Sequence, residues 1–157
     1  MDRLRAEGLP AYWLGERFGD LPLTGVSVAP VGGGAVLSYG TCDPPEDEGG
    51  CAPPVQLQIF RLCERHIDLT RQGPGRGPLP HRDLTLRGVP AAYVLADGRT
   101  ELYTRRVTVV VDRSGSSAPP AADVVAGLRA LNAAAGNVGP GDPLPPPRPG
   151  ACGRDWS

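Results

Sequence analysis

From Val89 to Asp112 the chain reads VPAAYVLADGRTELYTRRVTVVVD, two runs rich in β-branched and aromatic residues joined at Asp97-Gly98. Asp-Gly is favoured in two-residue type I′ turns, where both central residues take positive φ, so the pattern predicts an antiparallel hairpin. In the second run Val107, Val109 and Val111 point one way and Thr108 and Val110 the other. A strand that is largely apolar on both faces belongs in the middle of a sheet. An isolated hairpin is marginal in water, so further strands are required.

The sequence supplies them. AVLSYG follows the turn Gly32-Gly33-Gly34, VQLQIF alternates Val55, Leu57 and Ile59 with Gln56 and Gln58, and DLTLRG forms a short run from Asp83. Alternation with period two is the mark of a half-buried strand. Tyr12, Trp13 and Phe18 cluster ahead of LPLTGV and are expected to anchor the core. After the linker SGSSAPP, the stretch AADVVAGLRALNAAAG places Val124, Leu128 and Leu131 on one helical face. Ser117 serves as a prospective cap, Pro119 and Pro120 sit in the first turn and Gly136 marks the end. Together these elements predict one α+β domain over residues 1–138, an antiparallel sheet of about five strands with one C-terminal helix packed on it. Residues 139–157, GPGDPLPPPRPGACGRDWS, are too rich in proline for regular structure and predict an extended, polyproline-like tail.

Charge narrows the partners. Sixteen basic residues face 17 acidic ones, without the basic excess that nucleic-acid binding uses to displace phosphate counterions. All the basic residues are arginine. A chain without lysine has no P-loop lysine, no kinase ion-pair lysine and no lysine Schiff base. No stretch approaches the roughly 18 apolar residues of a membrane span. The opening MDRLRAEGLPAYWLGERF lacks the apolar core of a signal peptide, so the chain reads as soluble, with any export signal absent from it.

Several short motifs carry little. His81-Arg82-Asp83-Leu84 repeats the HRDL of a kinase catalytic loop, but Gly88 stands where that loop needs asparagine. Pro143 to Arg148 fits the PxxPxR of an SH3 ligand, a pattern common in extended proline-rich segments. Glu46, Asp47 and Glu48 lack the alternating spacing of a calcium loop. Together with Arg71, Arg76 and Arg82, which make the segment RQGPGRGPLPHR basic, they are candidates for an interaction surface. The histidines, His66 and His81, lie in no nucleophile-elbow or HExxH context, so no catalytic residue is assigned.

The four cysteines allow three pairings. Cys42 and Cys51 bracket DPPEDEGG, a loop whose prolines and glycines permit reversal, and a bridge there would contribute roughly 2–3 kcal/mol. Cys63 and Cys152 are then left to pair, closing a long loop worth roughly 4–5 kcal/mol and tying the tail to the sheet. The competing arrangement is a zinc site from Cys42, Cys51, Cys63 and His66, although Cys42 and Cys51 are too far apart for the close ligand pairs of structural zinc. Disulfides persist in oxidising compartments, so the first arrangement predicts an extracytoplasmic location and the second a cytoplasmic one.

The segments YWLGERFGDLPLTGV, YGTCDPPEDEGGCAPPVQLQ and VAGLRALN resemble uncharacterised exported proteins of high-GC actinobacteria. That resemblance implies export and no known activity. The expectation is therefore a non-enzymatic extracytoplasmic binding or accessory domain, without cofactor, acting on a protein or cell-envelope partner. The alternative is an intracellular zinc-binding or thiol-regulated module, and a third reading is a small hydrolase whose site assembles only on folding.

Overall fold

The computed structural model describes residues 4, 8–28, 34–41, 52–63 and 79–153. Within them the chain forms β1 (Tyr12–Trp13), β2 (Arg17–Phe18), β3 (Leu21–Val28), β4 (Ala35–Tyr39), β5 (Val55–Arg61), β6 (His81–Leu86), β7 (Val89–Val94), β8 (Thr100–Tyr103) and β9 (Val107–Arg113). Helix α1 (Ala121–Gly127) and β10 (Arg129–Ala130) follow. The main sheet is antiparallel in the order β2-β3-β4-β5-β9-β8-β7-β6, and β1 pairs separately with β10. The α+β class stands, and the central position expected for Val107–Arg113 is observed. The sheet has eight strands rather than about five.

Three added strands make the difference: the two-residue β2, β3, and the division of one expected strand into two. The stretch Leu21–Val28 contains Pro22 and Gly25, which weaken its strand pattern, yet it pairs with β4 through a register shift between Leu23 and Gly25. The run from Thr100 to Arg113 is broken by a reversal at Arg105-Arg106, so it supplies two strands. Neither arginine has positive φ, and the turn therefore lacks the glycine or asparagine signature of the favoured hairpin loops. Thr104 holds it together, its N–H and hydroxyl both donating to the Val107 carbonyl at 2.9 and 2.7 Å.

The Asp97-Gly98 reversal is present but is not a two-residue type I′ turn. Gly98 has φ +70°, Asp97 is not in the left-handed region, and Val94 and Arg99 close a longer loop through the Val94 N–H. The turn with two left-handed residues lies between β6 and β7, at Arg87 (φ 50°) and Gly88 (φ 76°). Arginine is an uncommon occupant of that conformation, and its side chain shows what holds it there. Nε donates to the Asp142 carbonyl at 2.6 Å, Nη1 to those of Val125 and Leu128 at 3.0 and 2.6 Å, and Nη2 to that of Gly139 at 2.7 Å.

Those bonds explain why the helix is shorter than its apolar periodicity suggests. It ends at Gly127, Leu128 is extended, and Arg87 satisfies C-terminal carbonyls that another helical turn would otherwise engage. Leu131 is therefore not on a helical face, and Gly136 instead ends the 3₁₀ turn Ala133–Ala135. The N-cap is Pro120, without a side-chain bond, rather than Ser117. Gly127 lets the helix approach closely, since a Cβ there would lie 2.7 Å from Phe18 Cε2.

One sheet face carries the main core. Its rows run Ala35-Ile59-Val109-Leu102-Ala91-Leu84 and Leu37-Leu57-Val111-Thr100. Tyr12 and Leu14 of the N-terminal arm, Val124, Val125 and Leu128 of the helix segment, and Leu144 of the C-terminal segment join that core. The arm is fastened by Asn132. Its Nδ2 donates to the Leu4 and Leu9 carbonyls at 2.9 Å, and its Oδ1 accepts from the Ala11 N–H at 3.2 Å.

Of the tail expected over residues 139–157, residues 139–150 contain no helix or strand, as their proline content predicts, whereas Ala151–Gly153 forms a 3₁₀ turn, and the described part belongs to the fold. Leu144 is buried and its N–H donates to the Arg87 carbonyl, while the Arg105 N–H donates to that of Pro145. The Sγ atoms of Cys63 and Cys152 lie 2.07 Å apart, at disulfide distance, and fasten the segment to the end of β5.

Candidate functional site: an arginine-lined cleft

The reversal that split the last hairpin also builds the most distinctive surface among the described residues. Arg105 and Arg106 occupy its tip. The main-chain bond from the Arg105 N–H to Pro145 and one from the Leu62 N–H to the Arg106 carbonyl fix it from two sides. The C-terminal segment, held by Arg87 and the Cys63–Cys152 pair, brings Arg148 alongside. The Ala133–Ala135 turn, whose Ala135 N–H donates to Asn132 Oδ1, supplies the facing wall.

Arg105, Arg106 and Arg148 line an open cleft of about 560 Å³ together with Ala134. All three side chains are exposed. Among the described residues, none of their guanidinium groups has an ion pair or hydrogen bond. This is a local positive field in a chain of net charge −1, and guanidinium forks match the oxygens of carboxylates and phosphates. A second, smaller cavity of about 160 Å³ shares Arg105, Arg106 and Ala134 with the cleft.

A second polar cluster lies on the opposite sheet face and has a structural explanation. Glu101 is 0% exposed, accepting from Arg99 Nε at 3.1 Å and from the Tyr103 hydroxyl at 3.2 Å. Arg99 also meets Asp97 at 2.8 Å. A buried carboxylate needs such compensation, and none of these residues lines either cavity.

The residues singled out in the sequence are not gathered at the cleft. Arg82 is exposed on edge strand β6. His81 Nδ1 lies 2.8 Å from the Leu79 carbonyl, which assigns the ring proton to that nitrogen, and Nε2 is 3.5 Å from an Asp83 carboxylate that is 91% exposed. That pair stands on an open strand edge and lines neither cavity. Cys63 is paired with Cys152 and in that bond offers no thiolate to zinc. Cys42, Cys51, His66, Glu46, Asp47, Glu48, Arg71 and Arg76 lie outside the described residues.

The cluster escaped the sequence reading because Arg105-Arg106 sits in no motif and is distant in the chain from Arg148, which entered only as the last residue of the PxxPxR pattern. The one available signal was Arg105-Arg106 interrupting an otherwise apolar strand run. No helix among the described residues is long and apolar enough to cross a membrane. Comparison of the chain with protein-family models, with curated proteins and with solved structures finds no match.

Proposed function

We propose that the chain is a non-enzymatic extracytoplasmic binding or accessory domain whose arginine-lined cleft receives an oxyanion carried by its ligand or cell-envelope partner. The observation that carries this reading is the convergence of Arg105, Arg106 and Arg148, without counter-charge among the described residues, on an open cleft. Like charges held together by a fold cost stability through mutual repulsion, and an incoming anion relieves it. The near-neutral total charge favours a local anionic group over a nucleic-acid backbone. The extracytoplasmic location is supported by the Cys63–Cys152 pair and by the resemblance to exported actinobacterial proteins.

The test is a titration of isotope-labelled protein with inorganic phosphate, followed through the arginine Nε–H signals. Those of Arg105, Arg106 and Arg148 are expected to move together on one saturable curve, while that of Arg82 stays in place. Absence of a saturable response at the three cleft arginines would overturn the assignment.

A further inference from the structure

The two edges of the main sheet differ in how far they invite another strand. β2 is two residues long, whereas β6 runs for six residues in unbroken register with β7 and contains no proline. Short strands, prolines and bulges are common means of keeping an edge from pairing with another chain. The backbone alternation of β6 is fixed by its neighbour. The Leu95 N–H donates to the Pro80 carbonyl, while the Val94 N–H turns the other way, to Arg99. Odd-numbered residues of β7 therefore bond towards β6, where Arg82, Leu84 and Leu86 bond back. Asp83 and Thr85 turn their N–H and C=O groups outward, and among the described residues no hydrogen bond reaches those groups.

The side chains of this edge select one pairing. The core row Ala35-Ile59-Val109-Leu102-Ala91 ends on Leu84, which is 40% exposed, while Ala91 beside it is 3% exposed. A second copy of β6, related by a two-fold axis normal to the sheet, pairs antiparallel in registers centred on a single residue. Centring on Arg82 or on Asp83 sets like charges directly opposite each other, which is destabilising. Centring on Thr85 carries the pairing into the turn at Arg87, whose carbonyl already accepts from the Leu144 N–H. Centring on Leu84 lets Asp83 and Thr85 exchange bonds with Thr85 and Asp83 of the second copy. The two Leu84 side chains then meet at the close, non-hydrogen-bonded position between those pairs. We infer that β6 is a homodimer interface, at which two copies of the chain join edge to edge about Leu84 into one continuous sheet. None of its residues lines the arginine cleft, so the inference stands apart from the anion site.

The test is sedimentation equilibrium of the full chain at concentrations up to about 1 mM, on wild type, Leu84→Lys, Leu84→Glu and an equimolar mixture of the two variants. Leu84 is partly exposed, so both variants are expected to fold, which their urea midpoints check. Wild type should rise towards twice the mass of one chain as concentration increases. Either variant alone should associate about tenfold or more weakly, because like charges then occupy the close pair. The mixture should recover the doubled mass, since the introduced ammonium faces the introduced carboxylate. Wild type that keeps the mass of one chain throughout would overturn the inference. A wild-type dimer that either variant leaves intact, or a mixture that stays monomeric, would overturn it as well, because the contact would then not be centred on Leu84.

Discussion

Replacing Arg87 by asparagine isolates the bonds that hold the C-terminal segment to the sheet. Asparagine tolerates the left-handed conformation of the β6–β7 turn, so the backbone is preserved while the guanidinium is removed. Four bonds to the carbonyls of Val125, Leu128, Gly139 and Asp142 are lost. At about 1 kcal/mol net for each bond the loss is about 4 kcal/mol, reduced by the partial exposure of the site and by about 1 kcal/mol of relieved backbone strain. The expected destabilisation is about 2–3 kcal/mol, read as a lower urea midpoint at unchanged slope and a fall of about 5–10 °C in Tm. Arg87→Lys keeps the charge but has no planar fork, and should fall between the two. A loss below about 0.5 kcal/mol in Arg87→Asn would refute the argument that this side chain ends the helix and fastens the tail.

Cys152→Ser removes a crosslink between residues 89 apart in sequence, for which loop entropy gives roughly 4–5 kcal/mol, and chemical denaturation should show a loss of that order. An unchanged midpoint under reducing and oxidising conditions alike would contradict the pairing. Gly127→Ala should destabilise by about 1–3 kcal/mol, because the added Cβ meets Phe18, whereas the same change in an exposed helix stabilises. A gain in thermal midpoint would refute that packing. Burial pushes Tyr39 from 10.0 up to about 12, against the lowering effects of Leu14 and Arg129. The unfolded chain then loses this proton first, so the Tyr39 contribution is complete below pH 10 and is lost as the pH rises from 10 towards 12. Tyr39→Phe should flatten the fall in stability over that window, as measured by denaturation at stepped pH, and an unaltered slope would count against it.

Where local chemistry dictates structure, the sequence was readable. The alternation of Val107, Val109 and Val111, and of Gln56 and Gln58 with their apolar neighbours, identified strands β9 and β5, and the proline content of residues 139–150 foretold their lack of regular structure. The failures lie where a distant residue decides. Leu128 and Leu131 keep helical spacing with Val124, but Arg87, about forty positions earlier, caps the helix and releases the chain into β10. The Arg105-Arg106 turn carries no turn residues and is held by Thr104, Leu62 and Pro145. For the same reason the cleft was invisible, since Arg148 reaches Arg105 and Arg106 through a segment whose path is set by Leu144, Arg87 and Cys63.

The central claim is that the fold assembles Arg105, Arg106 and Arg148 to hold an oxyanion. Its most direct test compares the affinity for inorganic phosphate of wild type and the double variant Arg105→Gln/Arg106→Gln, at low and physiological salt. The variant should lose tenfold or more in affinity at an unchanged urea midpoint, and the wild-type affinity should weaken as salt is added. Equal affinity of the two proteins for phosphate would contradict it.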